Sequence, residues 1–199
     1  MSSIGWERVR DALGGRAPAR VREPVSTRAA VAAILREGKG DGLELLFIRR
    51  AEHEGDPWSG HISFPGGRSE PGDGELVSTA IRETAEEAGL DLHRDAELLG
   101  ALDEIRAMAR ARPVDLSIAP FVFRLLRPAE LVPNDEVVSL HWLPLERLLS
   151  RDHRSTMEHP YEGTPLELPC LRIEGLVIWG LTYRMVDNLR ELLGATESR

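Results

Sequence analysis

The strongest constraint on the fold is a helix that carries three glutamates and follows a long segment with little regular pattern. Residues 75–89 have helical periodicity, and Gly89 is placed to end that helix. The preceding residues 52–74 are rich in Gly, Pro, Asp and Ser. An irregular loop of this length is uncommon inside a compact domain unless it has a function, and loops carry many binding residues. We therefore expect this loop and helix to form the functional site.

The glutamates of this helix point in one direction. At 100° per residue, Glu83, Glu86 and Glu87 fall within one arc about 100° wide. The expected buried face lies roughly a third of a turn away and consists of Val77, Ala80, Ile81, Thr84 and Ala88. Like charges at this spacing repel, whereas a divalent cation reverses that sign, because magnesium prefers hard oxygen ligands. A solvated acidic surface is the alternative interpretation.

The remaining pattern predicts strands and helices in irregular alternation. Residues 29–35 and 43–49 predict two strands joined as a hairpin. Further strands are expected at residues 98–105, 116–126 and 137–143, and helices at residues 3–13, 144–149 and 176–193. This order favours the α/β class, with a mixed sheet covered by helices.

Composition limits the partners of the chain. The 199 residues suit one domain, and the net charge of −8 without a dense run of Lys or Arg disfavours a nucleic-acid partner. The longest apolar stretch, residues 29–35, is too short to cross a bilayer, so we expect no membrane partner. Cys170 is the single cysteine and cannot form an internal disulfide. The N-terminus lacks the apolar region of a signal peptide, and the cytoplasm is the expected compartment.

Residues 66–90, GGRSEPGDGELVSTAIRETAEEAGL, resemble the signature of the Nudix hydrolases. That signature is Gly, five residues, Glu, seven residues, then Arg-Glu-apolar-x-Glu-Glu-x-Gly-apolar. The matching positions are Gly67, Arg82, Glu83, Glu86, Glu87, Gly89 and Leu90. Asp73 stands where Glu is usual, eight residues separate it from Arg82, and Thr84 fills an apolar position.

Asp73 and the extra residue are similar to the coenzyme A pyrophosphatase branch of this family. Residues 178–184 resemble the C-terminal helix of that branch, and residues 137–145 resemble a late strand of the whole family. Asp56 departs from the branch, which carries Arg at this position. The resemblance implies a Nudix-type α/β/α sandwich with a mixed β-sheet between helices. We expect a hydrolase domain at residues 25–195, after an N-terminal helix and connector at residues 1–24.

The resemblance also implies a metal site and a catalytic base. It implies Mg²⁺ or Mn²⁺ held by Glu83, Glu86, Glu87 and the carbonyl of Gly66. Glu83 is one candidate for the base that takes a proton from the attacking water. Glu136 is the other, although a turn residue before a strand is an equally good interpretation of its position. Arg82 is expected to orient the glutamates.

Candidate substrate contacts lie in and beside the loop. Arg49 or Arg50 is expected to pair with a phosphate, and period-two alternation lets only one of them face the site. Arg68 is a second candidate cation. Trp58 can stack on a nucleobase or cover the edge of a core. His61 can contact substrate or act as a hydrogen-bonded loop residue.

The function that follows is hydrolysis of a diphosphate linkage in a small nucleoside diphosphate derivative. Coenzyme A or an acyl derivative is the first candidate, and ADP-ribose, a dinucleotide or a nucleotide sugar is the alternative. A sanitising enzyme for damaged nucleoside triphosphates and a non-catalytic nucleotide-binding module stay open. All carboxylates of the signature are present, which favours an enzyme. A homodimer is also left open. Trp179 is expected in the core or at a dimer contact, and residues 106–113 as a basic flap or a hairpin tip.

Overall fold

The computed structural model describes residues 4–40, 42–55, 58–109, 112–161 and 164–194. Its helices are α1 (Trp6–Leu13), α2 (Leu76–Ala88), α3 (Leu92–Asp95), α4 (Leu145–Leu149) and α5 (Gly180–Leu192). Its strands are β1 (Thr27–Glu37), β2 (Leu43–Arg50), β3 (Ile62–Ser63), β4 (Gly66–Arg68), β5 (Ala96–Ala101), β6 (Ile105–Ala109), β7 (Arg112–Leu125), β8 (Val137–Pro144), β9 (Arg154–Tyr161), β10 (Thr164–Ile173) and β11 (Leu176–Trp179). None of the helices within these ranges is long and apolar enough to span a bilayer.

The main sheet is mixed and is built around β1. This strand pairs antiparallel with β2, as the predicted hairpin requires, and parallel with β7. The strand order is β3-β2-β1-β7-β5, with β4 on β1, β6 on β7 and β8 on β2. The run of apolar residues in β1 is buried on both faces of the sheet, which is the pattern of a strand covered from two sides.

Helices cover both faces of this sheet. Residues of α1, α4 and α5, such as Val9, Leu148 and Leu189, pack in one core. Ala80 of α2 and Leu92 of α3 pack in the other core. The predicted α/β/α sandwich with a mixed sheet is confirmed. Because Val9 is fully buried in the first core, α1 packs directly against the sheet; the division of the chain at residue 24 stays a prediction.

The C-terminal part of the fold corrects one prediction. Residues 176–193 were expected to form one helix, but Leu176–Trp179 form β11, and α5 begins only at Gly180. The apolar LVIW segment pairs with β10, and Gly180 has a φ of 62°, which ends the strand. β9, β10 and β11 form a second sheet that the sequence did not predict. Pro160, Pro165 and Pro169 lie in it and weaken the strand signal.

Two other predictions differ in detail. Residues 98–105, expected to form one strand, belong to two strands, β5 and β6, with a break between them. The irregular loop at residues 52–74 contains the short strands β3 and β4.

Ala109 pairs with Arg112, so β6 and β7 form a hairpin where a flap or a hairpin tip was expected. Arg110 lies outside the described residues.

Candidate active site

A cavity of about 460 Å³ lies where α2, the loop before it and the C-terminal elements meet. This volume is within the range of small-molecule sites. The predicted site residues that line it are Arg50, Trp58, His61, Gly66, Arg68, Glu83, Glu87 and Glu136. Arg49, Arg82 and Glu86 are absent from its described walls.

Glu87 is the most deeply buried carboxylate of the site, with 2% of its surface exposed. Its Oε2 accepts a hydrogen bond from the amide of Gly66 at 2.8 Å, and Arg50 Nη1 lies 3.6 Å from its Oε1. Burial nevertheless raises the pKa of Glu87 to about 7, because desolvation of the carboxylate outweighs both contacts. The ionised form of Glu87 is therefore costly in the metal-free protein.

Glu83 lies one turn earlier on the same helix and faces the same cavity. Burial raises its pKa, and Arg82 Nη1, 3.0 Å from Glu83 Oε1, opposes that shift. Gly67 packs directly against this side chain: a Cβ at Gly67 would lie 2.3 Å from Glu83 Oε1. The glycine thus leaves the space that the Glu83 carboxylate fills.

The backbone conformation at position 66 requires a glycine. Its φ is 149°, and a Cβ there would lie 2.3 Å from the carbonyl oxygen of Ala30. β4 pairs with β1 at this point, and the amide of Ala32 donates to the carbonyl of Pro65 at 2.8 Å. The Phe-Pro-Gly-Gly segment, residues 64–67, therefore lies close against the central strand.

Arg82 lies outside the cavity, at the centre of a network that fixes the loop. Its Nε donates to Asp73 Oδ1 at 2.9 Å, and its Nη2 donates to the carbonyl of Arg68 at 3.1 Å. Asp73 Oδ2 also accepts bonds from the amide of Glu70 and the hydroxyl of Thr79, both at 2.8 Å. The hydrogen bond from Arg82 holds the pKa of Asp73 well below its usual range. The Asp73 carboxylate therefore connects the loop to α2.

Glu86 belongs to the same outer network. Its side chain is 54% exposed, and its Oε2 lies 3.2 Å from Arg82 Nη1. No three Asp, Glu, His or Cys side chains within the described ranges converge as a metal-binding group. Glu86 thus lies at the surface in contact with Arg82 and does not line the cavity with Glu83 and Glu87.

The residues that face the cavity nevertheless fit a divalent cation. Glu83, Glu87 and Glu136 are hard oxygen donors. Burial, and to a smaller extent the charge of Glu136, raises the pKa of Glu83 and of Glu87. A bound cation would stabilise the ionised forms that burial and mutual repulsion disfavour.

The end of β2 separates the two candidate arginines. Arg50 lines the cavity, whereas Arg49 is exposed. Burial, and after it the charge of Arg49, lowers the pKa of His141. Alternation along the strand places the two side chains on opposite sides. Arg50 is thus the residue of the pair that faces the site, and its contact with a phosphate stays a prediction.

Glu136 lies in a turn and also lines the cavity, and its role as the base stays a prediction. Its amide donates a hydrogen bond to Asn134 Oδ1 at 3.0 Å, in a turn just before β8. Its carbonyl accepts a bond from the amide of Ala51 at 2.8 Å, which ties that turn to the end of β2. Its side chain also lines the cavity. Trp58 likewise both lines the cavity and packs against the core.

Part of the cavity wall was missed by the sequence interpretation. Trp179, Leu181, Thr182 and Met185 line it from β11 and α5. The prediction for Trp179, a core or dimer contact, omitted the cavity. Trp179 stands beside His61, with 4.4 Å between the ring centroids. Its neighbour Gly180 was the available signal for a break between strand and helix. Asp56 lies outside the described residues.

Comparison with known proteins identifies the family. Residues 26–163 match the family model of the NUDIX domain. An uncharacterized Nudix hydrolase, NudL of Yersinia pestis, is 30% identical over 148 residues, which cover 74% of this chain and 71% of that protein. This chain therefore belongs to the Nudix hydrolase family.

Other relatives match over different lengths. An uncharacterized protein of Schizosaccharomyces pombe is 40% identical over 109 residues, which cover 53% of this chain. The match covers only 33% of that protein, which is therefore much longer than this chain. A C. elegans Ap4A hydrolase is 24% identical with a TM-score of 0.51, over 60% of this chain and 81% of that chain. A MutT/nudix family protein from Enterococcus faecalis is 18% identical with a TM-score of 0.52, over 89% and 63%. Both structures share the fold.

Proposed function

We propose that this Nudix hydrolase cleaves a diphosphate linkage in a nucleoside diphosphate derivative and uses Mg²⁺ or Mn²⁺. The observation that carries the proposal is that Glu83, Glu87 and Glu136 line one cavity together with Arg50 and Arg68. Three carboxylates alone would repel an anionic diphosphate. A bound divalent cation reverses this repulsion, and the two arginines supply further positive charge.

Different side chains of the cavity have different roles in the proposed reaction. A bound cation would neutralise phosphate charge and lower the pKa of a water molecule. Glu83 and Glu87 would hold the cation, together with the carbonyl of Gly66, and Glu86 would join them after leaving Arg82. Glu136 or Glu83 would accept the proton of the attacking water.

The remaining contacts orient these groups and the substrate. The Gly66 amide fixes the Glu87 carboxylate, and Arg82 fixes Glu83. Arg50 or Arg68 would pair with a substrate phosphate, because both line the cavity. Trp58 and His61 would contact the rest of the substrate.

Coenzyme A or an acyl derivative is the first candidate substrate. The support for it is the spacing from Asp73 to Arg82, together with the C-terminal pattern of the coenzyme A pyrophosphatase branch. Asp56, in place of the Arg of that branch, favours the alternatives: ADP-ribose, a dinucleotide or a nucleotide sugar. A single buried cysteine, Cys170, fits a reducing cytoplasm as the compartment.

The test incubates the protein and Mg²⁺ or Mn²⁺ with coenzyme A, ADP-ribose, NADH, diadenosine polyphosphates, UDP-glucose and oxidised nucleoside triphosphates. Products are followed by chromatography. Glu83→Gln and Glu136→Gln are the test variants, and Glu75→Gln is the control, because Glu75 is exposed at the start of the same helix.

Each result of this assay assigns a function. Release of phosphopantetheine from coenzyme A, lost in both test variants and kept in the control, supports the first candidate. Cleavage of another diphosphate assigns an alternative substrate. Release of pyrophosphate from a triphosphate indicates a sanitising enzyme. Nucleotide binding without cleavage of any compound overturns the proposed activity in favour of a binding module. Sedimentation of the same samples tests for a homodimer.

A further inference from the structure

One wall of the cavity is apolar and combines residues of β7 with residues of the C-terminal elements β11 and α5. Leu116 and Ile118 of β7 face the cavity together with Trp179, Leu181 and Met185. The last three residues lie beyond residues 26–163, the part that matches the NUDIX domain. An apolar surface beside a polar diphosphate site remains wet unless the ligand itself brings apolar area to cover it.

Trp179 is the largest side chain of this wall, and it is held from several directions. His61, from the loop, lies 4.4 Å from its ring centroid at an interplanar angle of 52°. His159 of β9 lies 4.9 Å away at 41°. The backbone of Trp179 pairs with the buried Cys170 of β10. The indole is therefore fixed before a ligand arrives, which lowers the entropic cost of binding.

Part of the indole surface stays open to the cavity. Both imidazoles are tilted against the indole and are not stacked parallel to it. The side chain is only partly buried and lines the cavity. A rigid aromatic ring in the wall of a cavity favours a planar ligand group, which buries apolar area without losing rotamer freedom.

We propose that Trp179 determines specificity by stacking on the planar base of the nucleoside diphosphate substrate. This inference rests on the proposed function, because it uses the same cavity. Stacking of a base on an aromatic side chain typically changes affinity by about 5- to 150-fold. Trp179 is a candidate substrate contact supplied by the C-terminal sheet rather than by the matched domain.

The test compares two ligands that resist hydrolysis: the α,β-methylene analogue of ADP and methylenediphosphonate, which lacks the nucleoside. Affinities are measured by calorimetry with Mg²⁺ present. We expect the wild type to bind the nucleotide analogue at least ~10-fold more tightly. Trp179→Leu should lose most of that preference, whereas Trp179→Phe, which keeps a ring, should retain it within about threefold.

Trp142→Leu is the matched control, because Trp142 packs in the other core and contacts Arg36 rather than the cavity. A wild type that does not prefer the nucleotide overturns the inference. Equal preference in Trp179→Leu, or equal loss in Trp179→Phe, also overturns it. If Trp179→Leu does not fold, the indole N–H resonance of Trp179 in the wild type decides. It should shift with the nucleotide analogue and not with methylenediphosphonate, and the reverse result overturns the inference.

The inference about Trp179 and the proposed hydrolase activity can fail independently of each other. Binding of the nucleotide through Trp179, with no compound cleaved, overturns the hydrolase activity and leaves the inference intact. Cleavage with an unchanged KM in Trp179→Leu overturns the inference alone. In the supported case, Trp179→Leu raises the KM of a base-containing substrate ~10-fold and changes kcat by less than about twofold.

Discussion

The amide of Gly66 donates a hydrogen bond to Glu87 Oε2 at 2.8 Å and thereby joins β4 to α2. This contact links the glycine pair of the loop to the most buried carboxylate of the helix. It fixes the direction in which the carboxylate points, but it does not compensate for burial, since the pKa of Glu87 is still raised to about 7. The site is therefore well oriented and electrostatically unfavourable without a cation.

Glu87→Gln should make the metal-free protein more stable at neutral and alkaline pH. The pKa of Glu87 is 4.5 in the reference state and about 7 in the folded protein. Between these values the folded state binds more protons, so wild-type stability falls as pH rises through this window. The advantage of the variant should grow by roughly 3 kcal/mol from about pH 4 to about pH 8.

Urea unfolding of both proteins in the presence of a chelator measures this difference. The difference in the free energy of unfolding between the two proteins excludes the contribution of other titrating groups, as long as the substitution leaves their pKa values unchanged. Added Mg²⁺ should then raise the stability of the wild type more than that of Glu87→Gln. An equal pH dependence in the two proteins would show that Glu87 is not held in a desolvated environment.

Gly67→Ala should reduce activity strongly with little loss of folded structure. A Cβ at this position would lie 2.3 Å from Glu83 Oε1, so the carboxylate must move. A displacement of about 1 Å in a catalytic group commonly costs ~100-fold in rate. Gly72→Ala is the control, because a Cβ at Gly72 meets nothing within 4 Å. Comparable activity of the two variants would contradict the proposed role of Glu83.

Arg50→Ala and Arg49→Ala should have different effects on kinetics. Arg50 lines the cavity and lies 3.6 Å from Glu87, whereas Arg49 is exposed outside the cavity. Loss of a charge-assisted bond to a phosphate should raise the KM of Arg50→Ala ~10-fold or more. Arg49→Ala should stay within about twofold of the wild type. Steady-state kinetics on the best substrate tests this pair, and the reverse ranking would assign Arg49 to the substrate.

Asp73→Asn should destabilise the protein by about 1–3 kcal/mol, because it removes a charged acceptor of three donors. Those donors are the Arg82 guanidinium, the Glu70 amide and the Thr79 hydroxyl. The pKa of Asp73 is lowered, so its contribution is present above the ordinary pKa and is lost only as pH falls well below it. The difference from wild type should therefore persist down to about pH 4.

Thermal unfolding across this pH range gives the measurement for Asp73→Asn. Glu70→Gln is the matched control, because the side chain of Glu70 is exposed and only its amide contacts Asp73. A loss of stability in Glu70→Gln as large as that in Asp73→Asn would contradict a specific stabilising role of the Asp73 carboxylate.

Local features of the fold were predictable because they depend on neighbouring residues. The helix expected at residues 75–89 is observed as Leu76–Ala88, and Gly89 ends it with a φ of 66°. β1 and β2 were also expected, since their apolar runs flank a turn. The convergence of Glu83 and Glu87 followed from helical geometry alone.

The features that the sequence did not reveal depend on distant contacts. The choice between Arg49 and Arg50 required the direction of β2 in the sheet. Glu86 has the spacing of a ligand, but it pairs with Arg82 and points outward. The place of Trp179 in the cavity depends on the sheet of β9, β10 and β11. Prolines interrupt the strand pattern of this sheet, so the local sequence does not predict it.

The parallel pairing of β1 with β7 has a consequence for folding kinetics. Residues Thr27 to Leu35 pair with Leu116 to Arg124, so the centre of the sheet joins segments nearly ninety residues apart. Closing so long a loop costs chain entropy before any contact compensates it, and such topologies fold slowly. During synthesis, β1 has to wait for β7 to leave the ribosome, with its apolar faces exposed meanwhile. This interval is the stage at which a chaperone would be of most use to the chain.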